Sequence, residues 1–76
     1  MIEIYGKDNC PYCDKAKALC ERIGEEYEYK LLGFEFTREE MFETFPTART
    51  FPQIIVDGNK IGGYTELEEL VKSDMQ

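Results

Sequence analysis

The stretch Ile2-Glu3-Ile4-Tyr5-Gly6-Lys7-Asp8-Asn9-Cys10-Pro11-Tyr12-Cys13 governs how the rest of this 76-residue chain is read. Ile2 and Ile4 alternate with Glu3 and Tyr5, the period of a short strand, and Gly6 to Asn9 are turn residues. The first strand is therefore expected to end near Tyr5. From Pro11 the period changes: Ala16, Leu19, Cys20 and Ile23 recur at helical spacing, Lys15, Lys17, Glu21 and Arg22 take much of the other surface, and Gly24 supplies a stop. A helix is predicted over Pro11 to Ile23. Both cysteines of the Cys-x-x-Cys pair thus fall where a strand-loop-helix unit begins its helix.

Beyond this helix, Tyr27, Tyr29 and Leu31 alternate with Glu26, Glu28 and Lys30, which predicts a second strand. The right-handed crossover of a strand-helix-strand unit makes these two strands parallel. Thr37 with Glu40 matches a capping box, Phe36 with Met41 its hydrophobic staple, and Phe42 and Phe45 are expected to continue the apolar face until Pro46. Gln53-Ile54-Ile55-Val56, Asp57-Gly58 and Asn59-Lys60-Ile61 read as an antiparallel hairpin about a turn that needs positive φ. Gly62-Gly63-Tyr64 then leads into Thr65 with Glu68, a second expected capping box, with Leu67, Leu70 and Val71 facing one way. Ser73 to Gln76 is expected to fray. The order β-α-β-α-β-β-α predicts an α/β fold with a four-stranded mixed sheet flanked by three helices, formed by residues 1–76 as one domain without repeats or linkers.

Sixteen Asp and Glu against nine Lys and Arg give a formal charge of -7. That balance repels phosphate backbones and anionic lipid, which argues against nucleic acid and membrane surfaces as partners. No apolar run approaches a membrane span, and the N-terminus lacks the basic start and apolar stretch of a signal peptide. A cytoplasmic location is expected. Three cysteines, two of them three residues apart, fit a redox pair plus one further thiol better than a structural disulfide framework.

At a helix start, Cys10 would feel unpaired backbone N–H groups and the positive end of the helix dipole, both of which favour thiolate. Thiols so placed fall from ~8.5 to between ~3.5 and 7.5. Lys7 is expected to add a nearby positive charge. Pro11 suits the first helical position because its missing N–H has no intrahelical partner there. Cys13 follows one turn on, at a Cα separation near the ~5.5 Å that a disulfide prefers. A structural zinc site would need about four Cys or His ligands, and the sequence has no His and only Cys20 besides the pair. Cys20 shares the apolar stripe of Ala16, Leu19 and Ile23, so packing is its expected role, with a regulatory thiol as the alternative.

Cys10-Pro11-Tyr12-Cys13, Thr50-Phe51-Pro52-Gln53 and Gly62-Gly63-Tyr64-Thr65-Glu66-Leu67 together resemble the three signatures of dithiol glutaredoxins, in the compact form of bacterial and bacteriophage members. The resemblance implies a thioredoxin-like fold with Pro52 as a cis-proline beside the dithiol. It further implies glutathione as a reducing co-substrate, with no bound cofactor and no metal. Tyr64 and Thr65 would hold the γ-glutamyl end of glutathione, Phe51 would pair with its cysteinyl backbone, and Lys7 and Arg49 would attract its glycine carboxylate. Tyr12 would lie beside the same ligand. Each has a plainer alternative: surface cations for Lys7 and Arg49, core packing for Phe51 and Tyr12, a helix cap for Thr65. Phe51 stands where the family usually has Val, which puts the shape of the groove in question.

The resemblance implies an enzyme in which the Cys10 thiolate attacks a substrate disulfide and Cys13 resolves the mixed disulfide. Disulfide-containing proteins are the implied partners, with ribonucleotide reductase as a candidate, and the chain is taken to act as a monomer. Two other readings remain: a redoxin with the same dithiol reduced by thioredoxin reductase, and a glutathione-ligated iron-sulfur carrier built from two subunits.

Overall fold

The computed structural model describes residues 1–74. Its elements run β1 (Ile2–Gly6), α1 (Pro11–Ile23), β2 (Tyr27–Leu31), α2 (Arg38–Thr44), β3 (Gln53–Val56), β4 (Asn59–Gly62) and α3 (Tyr64–Asp74). They form one sheet of order β2-β1-β3-β4. β1 pairs parallel with β2, Ile2 opposite Tyr27, and antiparallel with β3, Ile4 opposite Ile54. β3 and β4 make the antiparallel hairpin, with Asp57 and Gly58 both at positive φ in its turn. The element order and the mixed sheet are those read from the sequence.

The two central strands bury both faces, and alternation sorts their residues between two cores. Ile2, Ile4 and Ile54 point to the side covered by α1 and α3, where they meet Ala16, Leu19, Cys20 and Leu67. Ile55 points the other way, into a cluster with Phe36, Met41 and Phe45, against which Tyr5 packs. The Tyr5 ring meets both Phe36 and Phe45 edge-on at 5.1 Å between centroids. α2 is thus pinned to the opposite face of the sheet from α1 and α3.

α1 occupies the predicted residues and ends at Gly24, whose left-handed backbone (φ 74°) lets its N–H reach the carbonyls of Cys20 and Glu21. At α2 the capping box forms: Thr37 Oγ1 accepts from the Glu40 N–H at 3.1 Å, and Glu40 Oε1 accepts from the Thr37 N–H at 2.9 Å. Phe36 and Met41 pack in the same cluster, as a staple requires. Phe42 departs from expectation, with 57% of its surface exposed. Successive helical residues turn by ~100°, so Met41 and Phe45, four apart, share the inward direction and Phe42 is carried off it.

The second capping box does not form between Thr65 and Glu68. α3 starts at Tyr64, so Thr65 already lies inside the helix and is exposed. Instead, Glu66 Oε1 accepts from the Gly63 N–H at 2.7 Å, while the Gly63 carbonyl accepts from the Leu67 N–H at 3.1 Å. Glu68 is drawn elsewhere, accepting from the Tyr64 hydroxyl at 3.0 Å. Leu67 is 1% exposed and Val71 packs against the core, but Leu70 is 37% exposed at the margin of the apolar face. Ser73 and Asp74 remain helical, and the expected fraying of Met75 and Gln76 lies outside the described residues. Among the described residues, no helix is long and apolar enough to cross a membrane.

Candidate active site

Cys10 and Cys13 are joined as a disulfide, with their Cα atoms 5.2 Å apart. The local cause is the N-terminus of α1. Cys10 is the N-cap residue in extended conformation, Pro11 takes the first helical position, and the Cys10 Sγ accepts a hydrogen bond from the Cys13 N–H at 3.2 Å. That sulfur therefore fills the place a Ser or Asp oxygen fills at an ordinary cap. Once the disulfide is reduced, the same N–H and the helix dipole favour negative charge on this sulfur.

The two sulfurs are not equivalent. Cys13 has no exposed surface, whereas Cys10 retains 8%. Cys20, the free cysteine, is fully buried in the α1/α3 core, and burial first, then Glu25 and Glu21, pushes its thiol above the usual range. It is a packing residue there, the bland role read from its stripe.

The other predicted residues form two groups. In the first, the rings of Tyr12 and Tyr64 lie 5.9 Å apart, tilted by 39°, with the Lys15 ammonium 4.9 Å from the Tyr12 ring centroid. Tyr12 is 54% exposed, and Tyr64 is half-buried. The hydrogen bond to Glu68, followed by desolvation, raises the Tyr64 phenol above its ordinary pKa. In the second, Lys7, Arg49, Thr50 and Phe51 border a hollow of about 340 Å³. The Lys7 ammonium stands 5.5 Å from the Phe51 ring centroid, so its charge is held over that ring. Phe51 is half-buried, bordering the hollow while it also packs against the α2 core.

The Phe51-Pro52 peptide bond is cis, as the motif implied, and Pro52 is buried. Its carbonyl marks the join between the motif loops. A Cβ built on Gly63 would stand 3.2 Å from the Pro52 oxygen, so a side chain there would require the proline loop or the Gly-Gly turn to give by a few tenths of an ångström. Two further neighbours of the hollow, Arg38 and Phe42, are residues that the sequence motifs do not mark. Their one signal is a spacing of four on α2, which places both on one helix face. Among the described residues, no group of three or more His, Cys, Asp or Glu side chains is placed to hold a metal ion.

Comparison with known proteins agrees with this geometry. The sequence profile of the family described as Glutaredoxin matches residues 2–61. The chain is 37% identical to glutaredoxin 1 of Escherichia coli K12 over 79 aligned positions, covering 95% of this chain and 93% of that protein. It is 41% identical to glutaredoxin 3 of the same strain over 70 positions, covering 91% and 83%. Among solved structures, reduced Escherichia coli glutaredoxin superposes with a TM-score of 0.82 at 34% identity, covering 97% of this chain and 95% of that one. A buckwheat glutaredoxin–glutathione complex shares the fold at a TM-score of 0.80 and 23% identity, covering 96% and 69%. With its Cys10–Cys13 dithiol at the start of α1, the chain belongs to the glutaredoxin family and is a thiol-disulfide oxidoreductase.

Proposed function

We propose that Cys10 is the attacking thiolate and Cys13 the resolving thiol of a glutathione-dependent reductase acting on protein disulfides and glutathione mixed disulfides. The observation that carries this assignment is the Cys13 N–H bonded to the Cys10 sulfur at the one cysteine with exposed surface. The Cys10 thiolate attacks one sulfur of the substrate disulfide, the substrate S–S bond breaks, and the other substrate sulfur leaves as a thiolate. Cys13, on losing its proton, attacks the Cys10 sulfur, forms the intrachain disulfide and expels the second substrate thiol. One glutathione thiolate then opens the disulfide at Cys10, and a second releases glutathione disulfide. Two electrons pass from two glutathiones to the substrate.

Glutathione would lie between the two groups of residues flanking the dithiol. Lys7 and Arg49 suit its glycine carboxylate, since neither makes an ion pair within the described residues. The γ-glutamyl carboxylate suits the first turn of α3, where the backbone N–H groups of Tyr64 and Thr65 have no intrahelical acceptor. The main chain of Phe51, just ahead of β3, suits the cysteinyl part, and Pro52 and Tyr12 border it. That a buckwheat glutaredoxin of the same fold forms a complex with glutathione supports glutathione as the ligand.

The buried Cys20 leaves no further exposed thiol to cross-link copies, which suits a monomer in a reducing compartment such as the cytoplasm. Ribonucleotide reductase is one candidate among the protein substrates.

Single substitutions test the assignment. Cys10→Ser should abolish glutathione-dependent reduction of every disulfide. Cys13→Ser should lose protein-disulfide reduction yet keep removal of glutathione from mixed disulfides, which needs Cys10 alone. Full activity of the Cys10 variant in a coupled glutathione assay would overturn both cysteine roles.

A further inference from the structure

Gly6, the last residue of β1, is buried although it has no side chain of its own to pack. The end of the Tyr29 ring covers it. Tyr29 stands opposite Ile4 in the parallel β1–β2 pair, and alternation gives Ile4 and residue 6 the same face of the sheet, the one that α1 covers. The ring leans along that face, so a Cβ built on Gly6 would overlap its hydroxyl and stand 2.6 Å from its Cζ. Glycine is needed here for close approach rather than for backbone freedom. The face of the ring meets α1: the Lys17 ammonium lies 4.3 Å from the ring centroid and 3.7 Å from the Asp14 carboxylate. Tyr29 thus touches the chain four residues before Cys10 and, at Lys17, four residues after Cys13. Between these two holds lie Asn9, at a positive φ of 55°, and Cys10, in the extended conformation that brings its sulfur to the Cys13 N–H. Burial, followed by Asp14 and Asp8, raises the Tyr29 phenol above its ordinary pKa, so carboxylates of the loop and of the first turn of α1 both face the ring. The hydroxyls of Tyr5 and Tyr64 take part in hydrogen bonds, whereas that of Tyr29 has none among the described residues. The ring itself fills the gap.

We propose that Tyr29 is a positioning residue for the dithiol: its ring, seated on the bare Gly6 and under Lys17, holds the loop of residues 7–10 at the distance from α1 at which the Cys13 N–H meets the Cys10 sulfur. The inference rests on the reading of Cys10 as the attacking thiolate, and it adds a residue from outside the three sequence motifs. Residues 7–10 belong to no strand or helix, so packing against their neighbours decides their conformation. A non-glycine residue at positive φ, such as Asn9, persists where its surroundings hold it. Without the ring the gap between Gly6 and α1 opens and the loop relaxes. The Cys10 sulfur then loses the N–H and the helix dipole that favour thiolate.

The test is the pH dependence of alkylation by iodoacetamide in the reduced full chain, read beside turnover of a small glutathione mixed disulfide. Tyr29→Leu keeps an apolar side chain on the sheet but cannot reach Gly6. It should lower the thiolate-to-thiol ratio of Cys10 about tenfold at a given pH, the smallest displacement that returns a thiol from the helix-start range to ~8.5. The remaining thiolate is the stronger nucleophile, so turnover below both pKa values should fall only about threefold. Tyr29→Phe should match the parent chain. Gly6→Ala should act like Tyr29→Leu, because the added methyl displaces the ring, and the double variant Gly6→Ala/Tyr29→Leu should lose no more than either alone. An alkylation profile unmoved in Tyr29→Leu, whatever its stability in urea, would overturn the proposal. So would single effects that multiply in the double variant, or a Tyr29→Phe variant that behaves like Tyr29→Leu. Mass mapping of the label separates the two readings. Label on Cys13 in the parent chain overturns the cysteine assignment and this proposal with it, whereas label on Cys10 with an unmoved profile overturns this proposal alone.

Discussion

At position 63 a methyl group would meet the Pro52 carbonyl oxygen at 3.2 Å and the Glu66 carboxylate at 3.4 Å, and the first of these is backbone that cannot rotate away. Gly63→Ala should therefore push the proline loop from the α3 turn. Overpacking of this kind costs about 1–3 kcal/mol, and denaturant unfolding should record a loss in that range together with a raised glutathione KM. Tyr64, the next residue, gives a pH-dependent signal. Its phenol donates to Glu68, which holds the folded-state pKa above 10.0, the ordinary value. A group whose pKa rises on folding stabilises the fold while protonated, so this contribution is whole below pH ~10 and disappears as pH climbs through the raised value. Tyr27 and Tyr29 are also raised, so a tyrosinate absorbance titration of Glu68→Gln against Glu68→Gln/Tyr64→Phe should show one late ionisation, that of Tyr64, moved down from its place in the parent chain; if it does not move, the Glu68 bond does not hold it.

At the scale of elements, α2 is the most exposed to test. It has seven residues, too few to be stable alone, and is held by its capping box and by Phe36, Met41 and Phe45 against the sheet. Thr37→Ala removes the acceptor for the Glu40 N–H and should cost about 1 kcal/mol in thermal or urea unfolding. α3 behaves differently, since its hold on the sheet is centred on Leu67, 1% exposed among Ile and Leu side chains. Leu67→Ala should cost about 2–5 kcal/mol, a large share of the total for a domain of this size.

For the whole molecule, charge sets the response to salt. Sixteen acids repel one another across a body 38 × 21 × 19 Å, and at ~0.01 M salt the Debye length of ~30 Å spans most of it. Raising salt to ~0.15 M shortens that range to ~8 Å and should raise Tm by relieving the repulsion. A Tm that fell would mean that the surface ion pairs, Lys30 with Glu3 foremost, outweigh it. The order of the elements and the position of the reactive sulfur follow from local rules. Alternation at Ile2 and Ile4, the helical stripe of α1 and the Asp57-Gly58 turn set the element order, and Cys10 before Pro11 put the sulfur at a helix start. Those are nearest-neighbour properties of the chain, and they survive into the fold. Tertiary structure alone decided the rest. The division of Ile54 and Ile55 between two cores depends on which helices cover each face, and the Gly63 N–H takes Glu66 as its acceptor while Glu68 takes the Tyr64 hydroxyl, so the expected Thr65–Glu68 box does not form. Lys7, Arg38 and Arg49 are as many as 42 residues apart in sequence. Only the packing of α2 beside the loops that carry Cys10 and Phe51 makes them one positive surface.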